Sequence, residues 1–210
     1  MMYTPKVSVI IPVYNQEVLV LKALDSIPTR DDIEIIVIDD GSTDDTWAKI
    51  WNYTMEHPKK NIVALYNQTN CGVSVTVNKG YDAATGEYVV VLGSDDYFYT
   101  SEFKKGMEEL DGTDLVYFNL VRNDNSILDL SPETKLQYCG STKFIKRSIL
   151  GDCRCPVGVQ FGEDYDLYKQ ILAKNPSEKY THLNIKHYNY PRVGSLCWQK
   201  EQELIAKAKK

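Results

Sequence analysis

Tyr88-Val89-Val90-Val91-Leu92-Gly93-Ser94-Asp95-Asp96 is an apolar run that ends at two adjacent carboxylates. A run of this kind predicts a buried strand that delivers the acids to its carboxyl end. In open α/β sheets that edge is where ligands bind. Two carboxylates side by side repel each other unless a cation sits between them, and hard divalent cations prefer oxygen ligands. The alternative for the same residues is an acidic turn leading into the next helix.

Upstream, the pattern alternates. Val7 to Ile11 predicts a β-branched strand stopped by Pro12. Glu17 to Ile27 places Val18, Leu21, Leu24 and Ile27 at helical spacing before Pro28. Ile33 to Ile38, Ile62 to Tyr66 and Glu87 to Leu92 read as further strands. Asp44 to Met55 and Val73 to Ala84 read as helices, with Ser42 expected to cap the first of them. Strands separated by helices imply βαβ units and a mainly parallel sheet, so the fold class is α/β. Downstream, helices are expected at Ser101–Leu110, Ser141–Leu150 and Glu163–Ala173. Strands are expected at Asp114–Val121 and Tyr180–Tyr190, and a turn at Asn123–Asn125 should lead into a small antiparallel hairpin or edge strand at Ser126–Leu130. Gly151 to Gly162 reads as an irregular, mobile loop. Glu201 to Lys210 reads as a short helical tail with a basic end.

The 210 residues suit one domain, with 43% hydrophobic and 25% charged residues. A net charge of -5, with no basic stripe among aromatics, argues against a nucleic-acid partner. The five cysteines (Cys71, Cys139, Cys153, Cys155 and Cys197) form no paired CxxC spacing, so free thiols in a reducing cytoplasm are expected. The first residues lack a basic segment followed by a long apolar one, and no apolar run approaches the ~20 residues of a membrane span.

Three neighbouring strand ends carry polar chemistry to one edge. Pro12-Val13-Tyr14-Asn15 brings an aromatic ring and an amide, on which a base could stack and hydrogen-bond. Asp39-Asp40-Gly41-Ser42-Thr43-Asp44 brings an acid, Asp40, able to accept from a nucleobase imide or a ribose hydroxyl, with Gly41 allowing close approach to the backbone. The third end brings Asp95 and Asp96. His57, His182 and His187 show no metal-binding spacing and read as structural.

These blocks, with Asn70-Cys71-Gly72 through Asn78-Lys79-Gly80 to Ala84-Thr85-Gly86-Glu87-Tyr88, resemble the family 2 inverting glycosyltransferases of GT-A fold, in order over residues 6 to 98. The resemblance implies transfer of a sugar from a nucleotide donor, usually a UDP-sugar, with Mg or Mn held by the acid pair. It implies that Pro12, Tyr14, Asn15, Asp40 and Asp95 bind the nucleotide and that Asp95 and Asp96 hold the metal. Gly162-Glu163-Asp164-Tyr165-Asp166-Leu167 resembles the family's Glu-Asp motif, which makes Asp164 the catalytic base and Glu163 its orienting or acceptor-binding neighbour. Acids at a helix start are also favoured by the helix dipole alone. Tyr188 to Ser195 resembles the tyrosine-rich strand that follows in the family, where Arg192 could approach the diphosphate.

Residues 1–98 are then a nucleotide-binding half and 99–210 an acceptor-binding half of a single domain. The usual family role implies cell-surface polysaccharide or lipid-linked glycan acceptors. It also implies a cytoplasmic enzyme with peripheral membrane contact, in which Lys207 to Lys210 could touch anionic lipid. Oligomeric state, donor sugar and acceptor are not readable. Two positions depart from the family: Gly93 stands where many members carry aspartate, and Val77 where an arginine often precedes the asparagine. They keep a catalytically weak nucleotide-sugar-binding module as a rival. A sugar-nucleotidyltransferase is a second rival, though Pro12 to Gln16 lacks its glycine-rich basic loop, and a dinucleotide-binding GxGxxG is absent.

Overall fold

The computed structural model describes residues 5–132, 139–159, 162–190 and 192. The first half runs β1 (Val7–Val13), α1 (Leu19–Ser26), β2 (Ile33–Asp39), α2 (Thr46–Glu56), β3 (Asn61–Tyr66), α3 (Val73–Ala83) and β4 (Tyr88–Val91). The second half runs β5 (Tyr97–Phe98), α4 (Thr100–Glu108), β6 (Leu115–Arg122), β7 (Ile127–Leu128), β8 (Lys143–Lys146), α5 (Arg147–Leu150), α6 (Glu163–Leu172) and β9 (Glu178–Tyr188). One sheet takes the order β3-β2-β1-β4-β8-β6-β9-β5, and β7 forms a hairpin with β6. Strands β1 to β4 are parallel. Strand β8 opposes both β4 and β6, so β6 and its parallel neighbour β9 run with the first four.

Strands buried on both faces should sort their side chains by alternation. Val7, Val9, Ile11, Ile33, Ile35 and Val37 pack with α1, α2 and α4. Ile10, Ile36 and Ile38 pack with α3, α5 and α6. The result is three layers. Helix α3 lies so close to β1 that a Cβ at Gly80 would come within 2.3 Å of Ile10 Cγ2. Val77 belongs to this same core, packed with Ile10 and Ile38. An arginine there would have to leave the core to reach a ligand.

Two expectations change. Pro12 does not stop β1, which continues to Val13 with Pro12 opposite Ile38. Alternation turns the missing Pro12 N–H toward β4, as Ile10 shows by accepting from Leu92 N–H (2.9 Å). Strand β4 has already ended there, so no ladder bond is lost. The helix expected at Ser141–Leu150 is instead β8 followed by the single turn α5. Lys143-Phe144-Ile145 fills the slot between β4 and β6 with aromatic and β-branched side chains, and that tertiary demand overrides helical spacing. The expected tail at Glu201–Lys210, including Lys207 to Lys210, and the residues Ser195 and Cys197 lie outside the described residues. No helix among the described residues is long and apolar enough to cross a membrane.

The amino end of the sheet is stapled by a buried carboxylate. Glu34 accepts from Ser8 Oγ (2.6 Å), from Thr85 Oγ1 (2.8 Å) and from Thr85 N–H (3.0 Å), while Ser8 Oγ accepts from Gly86 N–H (2.9 Å). The Thr85-Gly86 block is therefore structural, at the end of the sheet away from the acids.

Candidate active site

Because β1, β2 and β4 are parallel, their carboxyl ends share one rim. The loops after β1 and β2 are latched together there. Asn15, at φ +50°, donates its N–H to Ser42 Oγ (2.9 Å) and accepts from Thr43 N–H at Oδ1 (2.8 Å). Ser42 thus does not cap α2: its hydroxyl donates to Asp39, and Asp44 Oδ1 takes Thr46 N–H (3.0 Å) at the helix start. Asn15 is committed to the latch through Oδ1, whereas Tyr14 stands 41% exposed beside it.

Asp40 is 4% exposed and carries three donors. Oδ1 accepts from Asn67 Nδ2 (2.8 Å) and Cys71 N–H (2.9 Å), and Oδ2 from Gly72 N–H (2.9 Å). A carboxylate has about four acceptor sites, so one remains, on Oδ2. The close approach expected at Gly41 is made by the chain itself. A Cβ there would lie 2.4 Å from the Thr69 carbonyl carbon, and φ is +70°.

Asp95 and Asp96 follow β4 and meet the far end of β9. Asp96 Oδ1 accepts from Asn189 N–H (2.8 Å), and Lys186 Nζ lies 2.7 Å from Asp96 Oδ2 with both side chains buried. The ammonium is outside hydrogen-bond angles, so its attraction is electrostatic. Arg192 Nε donates to Asp95 Oδ2 (2.7 Å). Both acids turn an oxygen onto Gly93, where a Cβ would sit 2.9 Å from Asp96 Oδ2 and 3.2 Å from Asp95 Oδ1. Two carboxylate oxygens facing one point suit a hard cation that keeps waters or phosphate oxygens as its other ligands. Among the described residues no third His, Cys, Asp or Glu joins them. His187 is stacked on Tyr97 at 4.3 Å, and burial lowers its imidazole below the ordinary histidine value, with Lys22 adding to the effect.

The Glu163–Asp164 turn reaches the same rim by another route. Strand β8 opposes β4, so its first residues lie at the carboxyl edge of β4. Just before it, Gly140 N–H donates to Asp164 Oδ2 (2.9 Å), and Asp164 Oδ1 accepts from Tyr165 N–H (2.9 Å). Burial, with the Asp164 charge adding to it, raises the Glu163 carboxyl above the ordinary glutamate value. Nearby, burial pushes the Cys155 thiol up to about 12, with the Glu163 and Asp164 charges contributing, so it stays protonated. The four described cysteines are free.

The loop expected to move is anchored over its first part. Cys155 exchanges two hydrogen bonds with the Asn78 side chain (2.8 and 2.9 Å), and Arg154 pairs with Asp82 (2.6 Å). Sequence reasoning missed Asn67, Lys143 and Lys186. None of them left a signal: Lys143 opens β8 with Lys146 and Arg147 close behind it, so it does not stand out as a lone charge.

The order and direction of the strands, with the helices on both faces, are those of the GT-A fold of glycosyltransferases. The chain belongs to the glycosyl transferase family 2, whose sequence profile matches residues 8–188, and is a glycosyltransferase. It is 29% identical to the Escherichia coli UDP-Glc:alpha-D-GlcNAc-diphosphoundecaprenol beta-1,3-glucosyltransferase WfaP, over 95% of this chain and 82% of that protein. Its fold is similar to that of S. aureus TarS 1-349 in complex with UDP-GlcNAc (TM-score 0.80, 22% identity, 91% of this chain and 60% of that one). It is also similar to the mannosyltransferase PcManGT from Pyrobaculum calidifontis in complex with GDP-Man and Mn2+ (TM-score 0.73, 22% identity, 99% of this chain and 65% of that one).

Proposed function

We propose that this glycosyltransferase moves a sugar from a UDP-sugar to an acceptor hydroxyl with inversion, within one domain whose first 98 residues bind the nucleotide. The observation that carries the reading is that the Asp95–Asp96 pair and the Glu163–Asp164 turn share the carboxyl rim of one sheet. The exposed Tyr14 ring stacks on the base, Pro12 and the latched Asn15 shape the floor, and the free Oδ2 site of Asp40 accepts the imide proton. Asp95 contacts the ribose and, with Asp96, would hold Mg or Mn. Such an ion, when bound, supplies positive charge against the departing nucleoside diphosphate.

Asp164 takes the proton from the acceptor hydroxyl as its oxygen bonds to the anomeric carbon. The bond from that carbon to the phosphate oxygen breaks on the opposite face, and the electron pair leaves with the diphosphate. Glu163, beside it at the start of α6, orients Asp164 or contacts the acceptor. The similarity to WfaP supports a lipid-linked glycan acceptor, and with it peripheral contact with a membrane. Thermal-shift screening of nucleotide-sugars with and without Mn2+ tests the reading, because a bound ligand stabilises according to its occupancy. A Mn2+-dependent shift with UDP-sugars, followed by slow release of UDP, is expected. No shift with any nucleotide-sugar would contradict it.

A further inference from the structure

Lys186 has no place in the chemistry above, yet its ammonium is fully buried against Asp96. It arrives from the far end of β9, where Phe98 pairs with Lys186 and Tyr97 with His187, so the strand ladder fixes its position. No hydrogen-bond partner meets Nζ among the described residues. Arg192 supplies a second cation, on Asp95. The two carboxylates are therefore already balanced by two fixed positive charges.

We propose that Lys186 is the built-in counter-cation of the acid pair, and that it makes metal and nucleoside diphosphate bind together rather than separately. A divalent ion alone would enter a neutral cluster beside a fixed ammonium and be repelled. A diphosphate brings about three negative charges at neutral pH, which offset the ion and offer Nζ the acceptor it lacks. Lys186 thereby lowers the affinity of the free protein for metal and raises the coupling between the two ligands, a quantity that is reciprocal. This inference rests on the reading of Asp95 and Asp96 as the metal and diphosphate site.

Mn2+ titrations followed by electron paramagnetic resonance, with and without UDP, test it without any turnover. In the wild type, UDP should tighten Mn2+ binding roughly tenfold or more. In Lys186→Met, Mn2+ should bind the UDP-free protein roughly tenfold more tightly than in the wild type, and the enhancement by UDP should shrink. Lys186→Gln, which removes the charge and keeps a polar end, serves if the methionine variant does not fold, and the same change is expected. Mn2+ affinity that is unchanged or weaker in the folded variant overturns the proposal. Asp96→Asn separates the two failures. If it abolishes Mn2+ binding while Lys186→Met changes nothing, only the role of Lys186 falls. If it leaves Mn2+ binding intact, the metal-site reading falls.

Discussion

Gly140 donates its backbone N–H to Asp164 Oδ2 at 2.9 Å, across 24 residues of chain. The carbonyl of that same peptide unit, on Cys139, accepts from Lys143 Nζ (2.7 Å) and Thr142 Oγ1 (2.8 Å). Two donors on the carbonyl fix the plane of the peptide and strengthen its N–H as a donor. Lys143 is fully buried, its Nζ 3.2 Å from the Tyr168 ring centre, and burial lowers it well below the usual lysine value. With Asp164 as the proposed base, Lys143 would act on it through the peptide, as a positioning residue.

Lys143→Met should therefore slow hydrolysis of the UDP-sugar that gives the largest thermal shift roughly ten- to hundredfold while leaving its KM unchanged. Thr142→Val should have a smaller effect in the same direction. Steady-state kinetics check this split, and an unchanged kcat in folded Lys143→Met would remove the positioning role.

Asp40 closes the Asn70–Gly72 loop through three donors, one of them an N–H at the start of α3. Asp40→Ala should cost about 3 kcal/mol and lower Tm by roughly 6–12 °C, because buried donors lose their acceptor. Gly41→Ala should also destabilise, since its Cβ would meet the Thr69 backbone at a positive φ. Thermal unfolding by circular dichroism measures both.

Gly93→Ala places a methyl against the acid oxygens, 2.9 Å from Asp96 Oδ2. The carboxylates must then shift, and Mn2+-dependent binding of UDP should weaken with little change in Tm. Isothermal calorimetry decides it. Equal affinity would show that no cation is held between these oxygens.

Burial raises the Glu163 carboxyl, with the Asp164 charge contributing, so the folded protein holds a proton that the unfolded chain has released. The native state is thus favoured below the ordinary glutamate value, and that advantage is lost as pH rises through the raised value. Relative to wild type, Glu163→Gln should gain stability as pH rises above the ordinary glutamate value and level off once the raised value is passed. Urea unfolding across that range tests the sign.

The first half of the fold was legible because β1, β2 and β4 are β-branched runs buried on both faces, and their ends carry the polar blocks that latch to one another. Ser141–Leu150 misled because Phe144 and Ile145 answer to neighbours on β4 and β6, which are remote in sequence. The acids of the site were readable as local pairs. Their partners were not. Asn189 reaches Asp96 across 93 residues and Arg192 reaches Asp95 across 97, contacts that only the ladder between β5 and β9 creates. Asp40 was readable as an acid at a strand end, but its burial and the three donors that fill most of its acceptor sites, which lie in a loop with no periodic signal, were not.

Calorimetric titration of UDP in the presence of Mn2+ into wild type, Asp96→Asn and Asp164→Asn tests the central claim most directly. The account predicts equal binding by wild type and Asp164→Asn, and at least about a tenfold loss in Asp96→Asn. UDP binding by Asp96→Asn as tight as that of the wild type would contradict it.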